Sequence, residues 1–173
     1  MAYRYWVTYS IRSLVAADLP RLLALNNAAV PAVNELDAPA LAALVAHSHL
    51  AVAVVADDDA AAEVLGFAIL FVAGAEYQSE NYRWFSARST DFLYVDRIVV
   101  ADGFRGQGLG QVLYDAIFGA ARRDLLAEVL CEVNLVPPNP GSLAFHGRLG
   151  FAEVGQLSTK GDTVVVSLLA ASV

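Results

Sequence analysis

The sequence predicts an α/β fold in which helices pack on a central mixed sheet. The chain has 173 residues, close to the ~150 residues of an average domain, so residues 1–173 are expected to form one domain. Hydrophobic residues make up 57% of it, which excludes a disordered chain. The apolar pattern predicts the order strand, two helices, three strands, helix, strand, helix and two strands, which is typical of layered α/β proteins.

Composition also narrows the function classes. The chain has 11 Lys and Arg against 18 Asp and Glu, a net charge of -7 that argues against a nucleic-acid partner. Its 1 cysteine excludes an internal disulfide framework and a Cys-rich zinc site, and we predict no metal. The apolar runs end well short of the ~20 residues that cross a membrane, and no secretory signal is visible. We therefore expect a cytoplasmic protein without a membrane partner.

Two helices follow a first strand at residues 8–13. The first helix begins at Asp18, because a proline falls in its first turn, and it ends before Pro31. The second helix begins at Asp37 and runs to about His47.

A hairpin and a long connection come next. Residues 50–56 and 64–73 are rich in Val and Ala and predict two strands joined by an acidic turn at residues 57–59. Residues 74–90 are polar and aromatic, and we predict a long loop there. Connections of that length are usually functional or mobile.

A strand at residues 91–100 precedes a glycine-rich turn. The two-residue period places Tyr94, Asp96 and Ile98 on one face and Val95, Arg97 and Val99 on the other. After the turn, apolar residues at helical spacing predict an amphipathic helix with Arg122 and Arg123 at its end. Residues 128–133 alternate and predict a further strand.

The C-terminal part predicts a capped helix and a hairpin. Asn139 is a favourable N-cap followed by proline, and Gly150 closes the helix. Residues 151–157 and 163–169 predict the last two strands. The apolar segment 164–169 could pair across a homodimer.

The strongest functional signal is the turn between the strand at 91–100 and the helix after it. It consists of Arg105, Gly106, Gln107, Gly108, Leu109 and Gly110. Glycines let successive N–H groups converge on an anion, and the helix N-terminus adds positive potential, so we predict phosphate or diphosphate binding. The glycine spacing is not a Rossmann fingerprint, and the Lys of a P-loop is absent. An ordinary strand–helix turn is the alternative.

Two motifs resemble the GCN5-related N-acetyltransferase (GNAT) superfamily. The acetyl-CoA signature of that family, Gln/Arg-x-x-Gly-x-Gly/Ala, is matched by Arg105, Gly108 and Gly110. Its Asn-led helix ending in Leu-Gly-Phe is matched by Asn139, Ser142, Phe145, Leu149, Gly150 and Phe151. The resemblance implies a mostly antiparallel sheet flanked by helices and splayed between the strands at about 91–100 and 128–133. It is weakest over residues 1–50 and 74–90.

The resemblance implies acetyl-CoA as co-substrate. Ile98, Val99 and Val100 would pair with the pantetheine arm as an added strand does. The turn from Arg105 to Gly110 would hold the diphosphate through main-chain N–H groups. Asn139 and Ser142 would lie near the arm, although a simple helix cap is an equally good interpretation of Asn139. The resemblance thus implies two cofactor-binding stretches, one at residues 98–110 and one at residues 139–142.

The resemblance further implies direct acetyl transfer to a primary amine of a small molecule, an amino acid or a peptide. A protonated amine must lose a proton before attack, and Asp96 is the candidate base. An ion pair of Asp96 with Arg97 or Arg105 is the alternative, and some relatives carry the acid where this chain has Tyr94. The resemblance also implies that a bulge in this strand could change the face on which Asp96 lies. His146 stands where relatives carry Tyr, and it could protonate the leaving thiolate unless it is merely a surface histidine. A backbone N–H of the strand would polarise the thioester carbonyl.

Two other hypotheses stay open at the level of sequence. One is an acyl-CoA-binding sensor of the same fold without turnover. The other is a nucleotide-phosphate-binding protein of a different fold. The acceptor pocket could be lined by Asn26, Asn27, Asn34, Glu35 and the aromatic residues 77–85.

Overall fold

The strands and helices follow one another largely as the apolar pattern predicts. The structure, a computed structural model, describes residues 8–56 and 63–173, so residues 1–7 and the predicted turn at 57–59 lie outside the described residues. The strands are β1 (Ser10–Ser13), β2 (Leu50–Val55), β3 (Val64–Val72), β4 (Phe92–Val100), β5 (Glu128–Val136), β6 (Ala152–Thr159) and β7 (Val164–Ser172). The α-helices are α1 (Leu19–Ala28), α2 (Ala38–His47), α3 (Glu80–Arg88), α4 (Leu109–Arg123) and α5 (Pro140–Arg148).

The described strands form one sheet in the order β1-β2-β3-β4-β5-β7-β6. Neighbouring strands are antiparallel except β4 and β5, which confirms the mixed, mostly antiparallel sheet. Because β7 lies between β5 and β6, both of its edges are hydrogen-bonded within the chain. Pairing of residues 164–169 across a dimer is therefore wrong as a route to dimerisation, and a homodimer itself stays a prediction.

β4 and β5 separate after three paired residues. Phe92, Leu93 and Tyr94 pair in parallel with Glu128, Val129 and Leu130. Among the described residues, the remainder of each strand, 95–100 and 131–136, has no ladder partner in the other. The splay predicted from the family resemblance is confirmed, and it opens one end of the sheet.

The sheet separates two apolar cores. On one face, buried side chains of α1, α2 and α3, among them Leu22, Leu41 and Phe85, pack on the strands. On the other face α4 packs with Leu113 and Ile117, which confirms the apolar stripe predicted for that helix. Fully burying each such side chain stabilises the fold by roughly 1.5–3 kcal/mol.

The segment 74–90 is not the continuous loop that the sequence predicts, because it contains α3. The Ser79 hydroxyl caps this helix by accepting a hydrogen bond from the N–H of Tyr82 at 3.4 Å. Tyr82 and Phe85 are buried against distant strands. Packing against the sheet, rather than local propensity, stabilises this short helix, and the polar composition conceals it.

A β-bulge at Asp96 changes which side chains of β4 share a face. On β3, Ile69 pairs with Arg97 and Leu70 pairs with Val95, so Asp96 has no partner in the ladder. The extra residue reverses the alternation. The predicted faces are therefore wrong across the bulge: Tyr94 and Val99 lie in the core under α1, whereas Val95, Ile98 and Val100 lie on the α4 side.

Helix ends follow the predicted capping residues. Asp37 Oδ1 accepts a hydrogen bond of 2.8 Å from a backbone N–H of α2, and Asn139 Oδ1 accepts one of 3.2 Å from Ser142 in α5. Gly150 follows α5 with φ of +89°, the left-handed conformation expected after a helix. Over residues 8–56 and 63–173, no helix has the length and apolar character needed to cross a membrane.

Candidate active site

The separation of β4 from β5 opens a cleft of about 1250 Å³. One end is lined by the glycine-rich turn and the start of α5. The other end is lined by the segment between α1 and α2 and by the start of α3, and we call it the acceptor end. The cleft thus joins the predicted phosphate-binding turn to the region predicted for the acceptor.

Gly106, Gly108 and Gly110 of the glycine-rich turn line the cleft. Gly106 and Gly108 have φ of +76° and +87°, which other residues rarely adopt. A Cβ at either position would meet no atom within 4 Å, so backbone conformation and not packing requires glycine. Within the described part of the chain, no protein group accepts a hydrogen bond from the N–H groups of residues 106–111. Together with the N-terminus of α4 they can bind an anion.

The long side chains of the turn contact other protein groups. Arg105 is 61% exposed and pairs with Asp102 at 2.9 Å. The Gln107 amide donates to the Gly103 carbonyl at 3.0 Å, and its Oε1 accepts from the Tyr9 hydroxyl at 2.9 Å. Arg105 lines the cleft, and Gln107 is not among the lining residues.

α5 packs closely against the start of α4. Leu109 is buried, and a Cβ on Gly110 would lie 2.9 Å from the ring of Phe145, so glycine permits the close approach. Asn139 and Ser142, at the start of α5, both line the cleft. The predicted cofactor-binding residues of both motifs therefore line the same cleft, with the exception of Gln107.

The last residues of β4 form one edge of the cleft. Ile98, Val99 and Val100 pair with β3 on one side. Their other side lies where β5 has diverged, and all three residues line the cleft. A strand edge of this kind offers N–H and C=O groups to an extended ligand.

Asp96 lies in the acceptor end, and its side chain is only 6% exposed. Its Oδ1 accepts a hydrogen bond of 2.6 Å from the Tyr77 hydroxyl, and its Oδ2 lies 3.4 Å from Nε of Arg97. Burial raises the pKa of Asp96, while the Tyr77 hydrogen bond and the charge of Arg97 oppose that rise. The predicted alternative, an ion pair with Arg97, is thus present in the structure.

Arg97 connects the bulge of β4 to the segment after α1. Its Nη1 donates to Asn26 Oδ1 at 2.7 Å and to the Asn34 carbonyl at 3.0 Å. Asn27 in turn bonds both backbone groups of Leu36. Asn34 therefore lines the cleft, while Asn26 and Asn27 support the segment from behind.

Glu132 on β5 is an acidic cleft residue that the sequence analysis did not single out. Both of its carboxylate oxygens accept from the Tyr94 hydroxyl, at 3.1 and 2.9 Å. Burial and the nearby charge of Asp96 raise the pKa of Glu132 to about 8, although hydrogen bonds from Tyr94 and Asn81 oppose the rise. A carboxylate flanked by the apolar residues of a predicted strand was the signal that could have identified it.

His146 is buried, with only 4% of it exposed, and it is not the surface histidine of the alternative interpretation. Its Nδ1 lies 2.8 Å from the Ser142 carbonyl, so this nitrogen carries the hydrogen, and Nε2 accepts from the Tyr114 hydroxyl at 2.7 Å. Burial lowers the pKa of His146, so the neutral ring is favoured. Both ring nitrogens are thus engaged by other protein groups.

The match of this chain to a protein family agrees with the geometry of the cleft. A model described as the acetyltransferase (GNAT) family matches residues 19–151, well over half of the chain. The chain belongs to the GNAT family. Membership confirms the resemblance and rules out a nucleotide-phosphate-binding protein of a different fold. No curated protein matches the sequence.

Several solved structures share this fold. The ribosomal-protein-S18-alanine N-acetyltransferase from Escherichia coli has a TM-score of 0.70 and 18% identity, over 95% of this chain and 94% of that chain. Ard1 from Thermoplasma volcanium has a TM-score of 0.75 and 16% identity, over 95% and 97%. Arabidopsis thaliana NAA60 in complex with acetyl-CoA has a TM-score of 0.74 and 16% identity, over 96% and 99%. At these identities the likeness establishes the fold alone.

Proposed function

We propose that this GNAT protein transfers an acetyl group directly from acetyl-CoA to the primary amine of a small molecule, an amino acid or a peptide. One observation carries the proposal. A turn with unpaired main-chain N–H groups opens onto a cleft whose other end holds two carboxylates of raised pKa. The first feature suits a diphosphate, and the second suits removal of a proton from an amine.

The residues of the turn fit the diphosphate of acetyl-CoA. Gly106 and Gly108 leave open space where a Cβ would stand, so phosphate oxygens can approach the backbone. Ile98, Val99 and Val100 offer the edge of β4 to the pantetheine arm, with Asn139 and Ser142 nearby on α5. Acetyl-CoA supplies an activated thioester, and a backbone N–H of β4 would polarise its carbonyl.

Glu132 is our first candidate for the proton acceptor, ahead of Asp96. A general base works best when its pKa lies near the working pH, and the pKa of Glu132 is about 8. Asp96 is held by Arg97, whose charge favours the ionised carboxylate. Glu132 would take the proton that the ammonium loses. The amine nitrogen then bonds to the thioester carbon and loses its second proton, and the carbon–sulfur bond breaks to release the CoA thiolate.

His146 stays the candidate that returns a proton to the departing sulfur. The lowered pKa favours the neutral ring, so His146 would first take up the second proton that the amine nitrogen loses. It would then donate from the imidazolium form, with the bond from Nδ1–H to the Ser142 carbonyl opened. The Ser142 hydroxyl, 3.3 Å from Nδ1, lines the cleft and could pass the proton on. In this arrangement the protein residues supply both proton transfers.

The acceptor class is inferred from the similarity to solved structures as well as from the cleft. One similar structure is named for acetylating an alanine of a ribosomal protein, which supports a peptide amine among the candidates. A sensor that binds acyl-CoA without turnover is the alternative function.

Release of free thiol from acetyl-CoA across a panel of small amines, amino acids and peptides tests the proposal. Turnover with at least one amine is expected. Thermal stabilisation by CoA without turnover for any amine would favour the sensor. Stabilisation by ATP or NAD that exceeds stabilisation by CoA would contradict both.

A further inference from the structure

Two buried oxygens in the acceptor end can accept hydrogen bonds and have no donor. They are Oδ1 of Asn81 and Oδ2 of Asp96, and no donor among the described residues satisfies either. Both residues line the cleft, and the Asp96 side chain is only 6% exposed. Unsatisfied buried polar atoms are rare in native proteins, so each calls for an explanation such as a ligand.

Glu132 lies beside both of these residues. The Asn81 side chain lies close enough to lower the pKa of Glu132, and the negative charge of Asp96 raises it. The hydroxyls of Tyr77 and Tyr94 already donate to Asp96 and Glu132. The acceptor end therefore presents carbonyl and carboxylate oxygens, whereas the hydroxyl hydrogens of Tyr77 and Tyr94 are already donated to protein groups.

The Arg97 guanidinium does not satisfy these unpaired acceptor oxygens with a hydrogen bond. Its Nε lies 3.4 Å from Oδ2 of Asp96, within ion-pair range, yet neither atom has a hydrogen bond with proper geometry. The guanidinium is otherwise engaged by Asn26 and Asn34. Arg97 balances the charge of Asp96. Glu132, whose pKa is about 8, adds a second negative charge when it ionises, and a cation bound beside it would favour that ionised form.

We propose that Asn81, Asp96 and Glu132 form a binding site for a primary alkylammonium group. The inference rests on the proposed function and deepens it, because it states that the acceptor binds as a cation and names Asn81 as a specificity-determining residue. A primary ammonium has three N–H donors for the three acceptor groups. A quaternary ammonium has the charge without the donors and leaves the buried oxygens unsatisfied.

The test uses the full chain saturated with CoA, which cannot transfer an acetyl group. Thermal unfolding is followed while n-butylammonium chloride or n-butyltrimethylammonium chloride is added at constant ionic strength. We expect the primary ammonium to raise the Tm in a concentration-dependent manner and the quaternary ion to have little effect. Equal stabilisation by both ions, or by neither, would overturn the proposal.

Variants of α3 separate the ammonium site from general effects on that helix. Asn81→Leu removes the acceptor oxygen and should weaken n-butylammonium binding by about tenfold or more. Ala87→Leu places the same side chain at an exposed position of the same helix and should leave binding unchanged. Unaltered affinity in Asn81→Leu would contradict the role of its oxygen.

A conservative substitution keeps the test decisive even if Asn81→Leu folds poorly. Asn81→Asp retains an acceptor oxygen and should retain n-butylammonium binding. Loss of binding in Asn81→Asp would contradict the proposal, because it would assign the effect to the amide hydrogens. Stabilisation by CoA alone reports on the proposed function separately. Its absence would reject acyl-CoA binding, whereas its presence without an ammonium effect would reject only the ammonium site.

Discussion

Burial raises the pKa of both carboxylates of the cleft, but the neighbouring charges act on them differently. Asp96 has Arg97 beside it, and that positive charge offsets part of the cost of burying the ionised form. Glu132 senses the negative charge of Asp96, which adds to the effect of burial and exceeds the opposing effect of Arg97. A pair of titratable groups with different environments commonly divides the roles at an active site. Here the division favours Glu132 as the group that exchanges a proton.

Glu132→Gln tests this division of roles. The variant should lower kcat/KM by about 100-fold or more, because a general base contributes roughly 10²–10⁴. In the wild type, log kcat/KM should rise with pH and level off above about 8, the pKa of Glu132. Steady-state rates across pH should show this inflection only where Glu132 is present. If Glu132→Gln keeps the inflection and Asp96→Asn loses it, Asp96 is the base.

His146→Ala tests the second proton transfer. The variant leaves the buried Tyr114 hydroxyl without its partner and opens a cavity, so we expect about 2–4 kcal/mol of destabilisation. Measured below its Tm, kcat should fall more than the affinity for CoA. His47→Ala, at an exposed histidine, serves as the control. An unchanged kcat would leave His146 with a structural role only.

The glycine-rich turn acts as one element through its backbone. Gly108→Asp should abolish CoA binding in titration calorimetry, because a carboxylate would stand beside the diphosphate and φ of +87° disfavours a side chain. Gly103→Asp adds the same charge nearby, at a position without a positive φ or a close contact, and should bind CoA nearly as the wild type does. Gly108→Ala separates backbone strain from charge. Wild-type affinity in Gly108→Asp would refute the anion-binding turn.

α3 is positioned by β6, its neighbour across the acceptor end. A Cβ on Gly155 would lie 2.6 Å from the Trp84 ring, so Gly155→Ala should displace α3 and lower stability by about 1–3 kcal/mol. Gly119→Ala, in the interior of α4 with no atom within 4 Å of the new Cβ, should stabilise by about 0.5–1 kcal/mol. Denaturant unfolding checks both. A stable Gly155→Ala with wild-type activity would show that α3 tolerates the displacement.

At the scale of the whole molecule, the raised pKa of Glu132 connects stability to pH. The folded state binds this proton up to a pH of about 8, whereas an exposed Glu loses it near ~4.3. Between these values the folded state holds more protons, so the free energy of unfolding falls as pH rises.

Glu132→Gln removes that contribution. Its free energy of unfolding should decline less between about pH 5 and pH 8 than that of the wild type, by on the order of 3–4 kcal/mol. Urea unfolding at several pH values measures the difference. Parallel declines in the two proteins would contradict the raised pKa of Glu132.

Much of the fold was predictable because the apolar period and the capping residues are local signals. Asn139 and Gly150 fixed the ends of α5, and the glycine-rich turn stands out by its spacing alone. α3 and the bulge at Asp96 depend on contacts between distant segments, which a single sequence does not display. Glu132 was missed for the same reason, since its environment is formed by Tyr94 and Asp96 on another strand.

The most direct test of the account is to incubate the protein with acetyl-CoA and a panel of primary amines, and to quantify free CoA and acetylated amine in the same samples. The account predicts that both products appear in equal amounts with the wild type and are nearly abolished in Gly108→Asp. CoA binding with no acetylated amine from any member of the panel would contradict it.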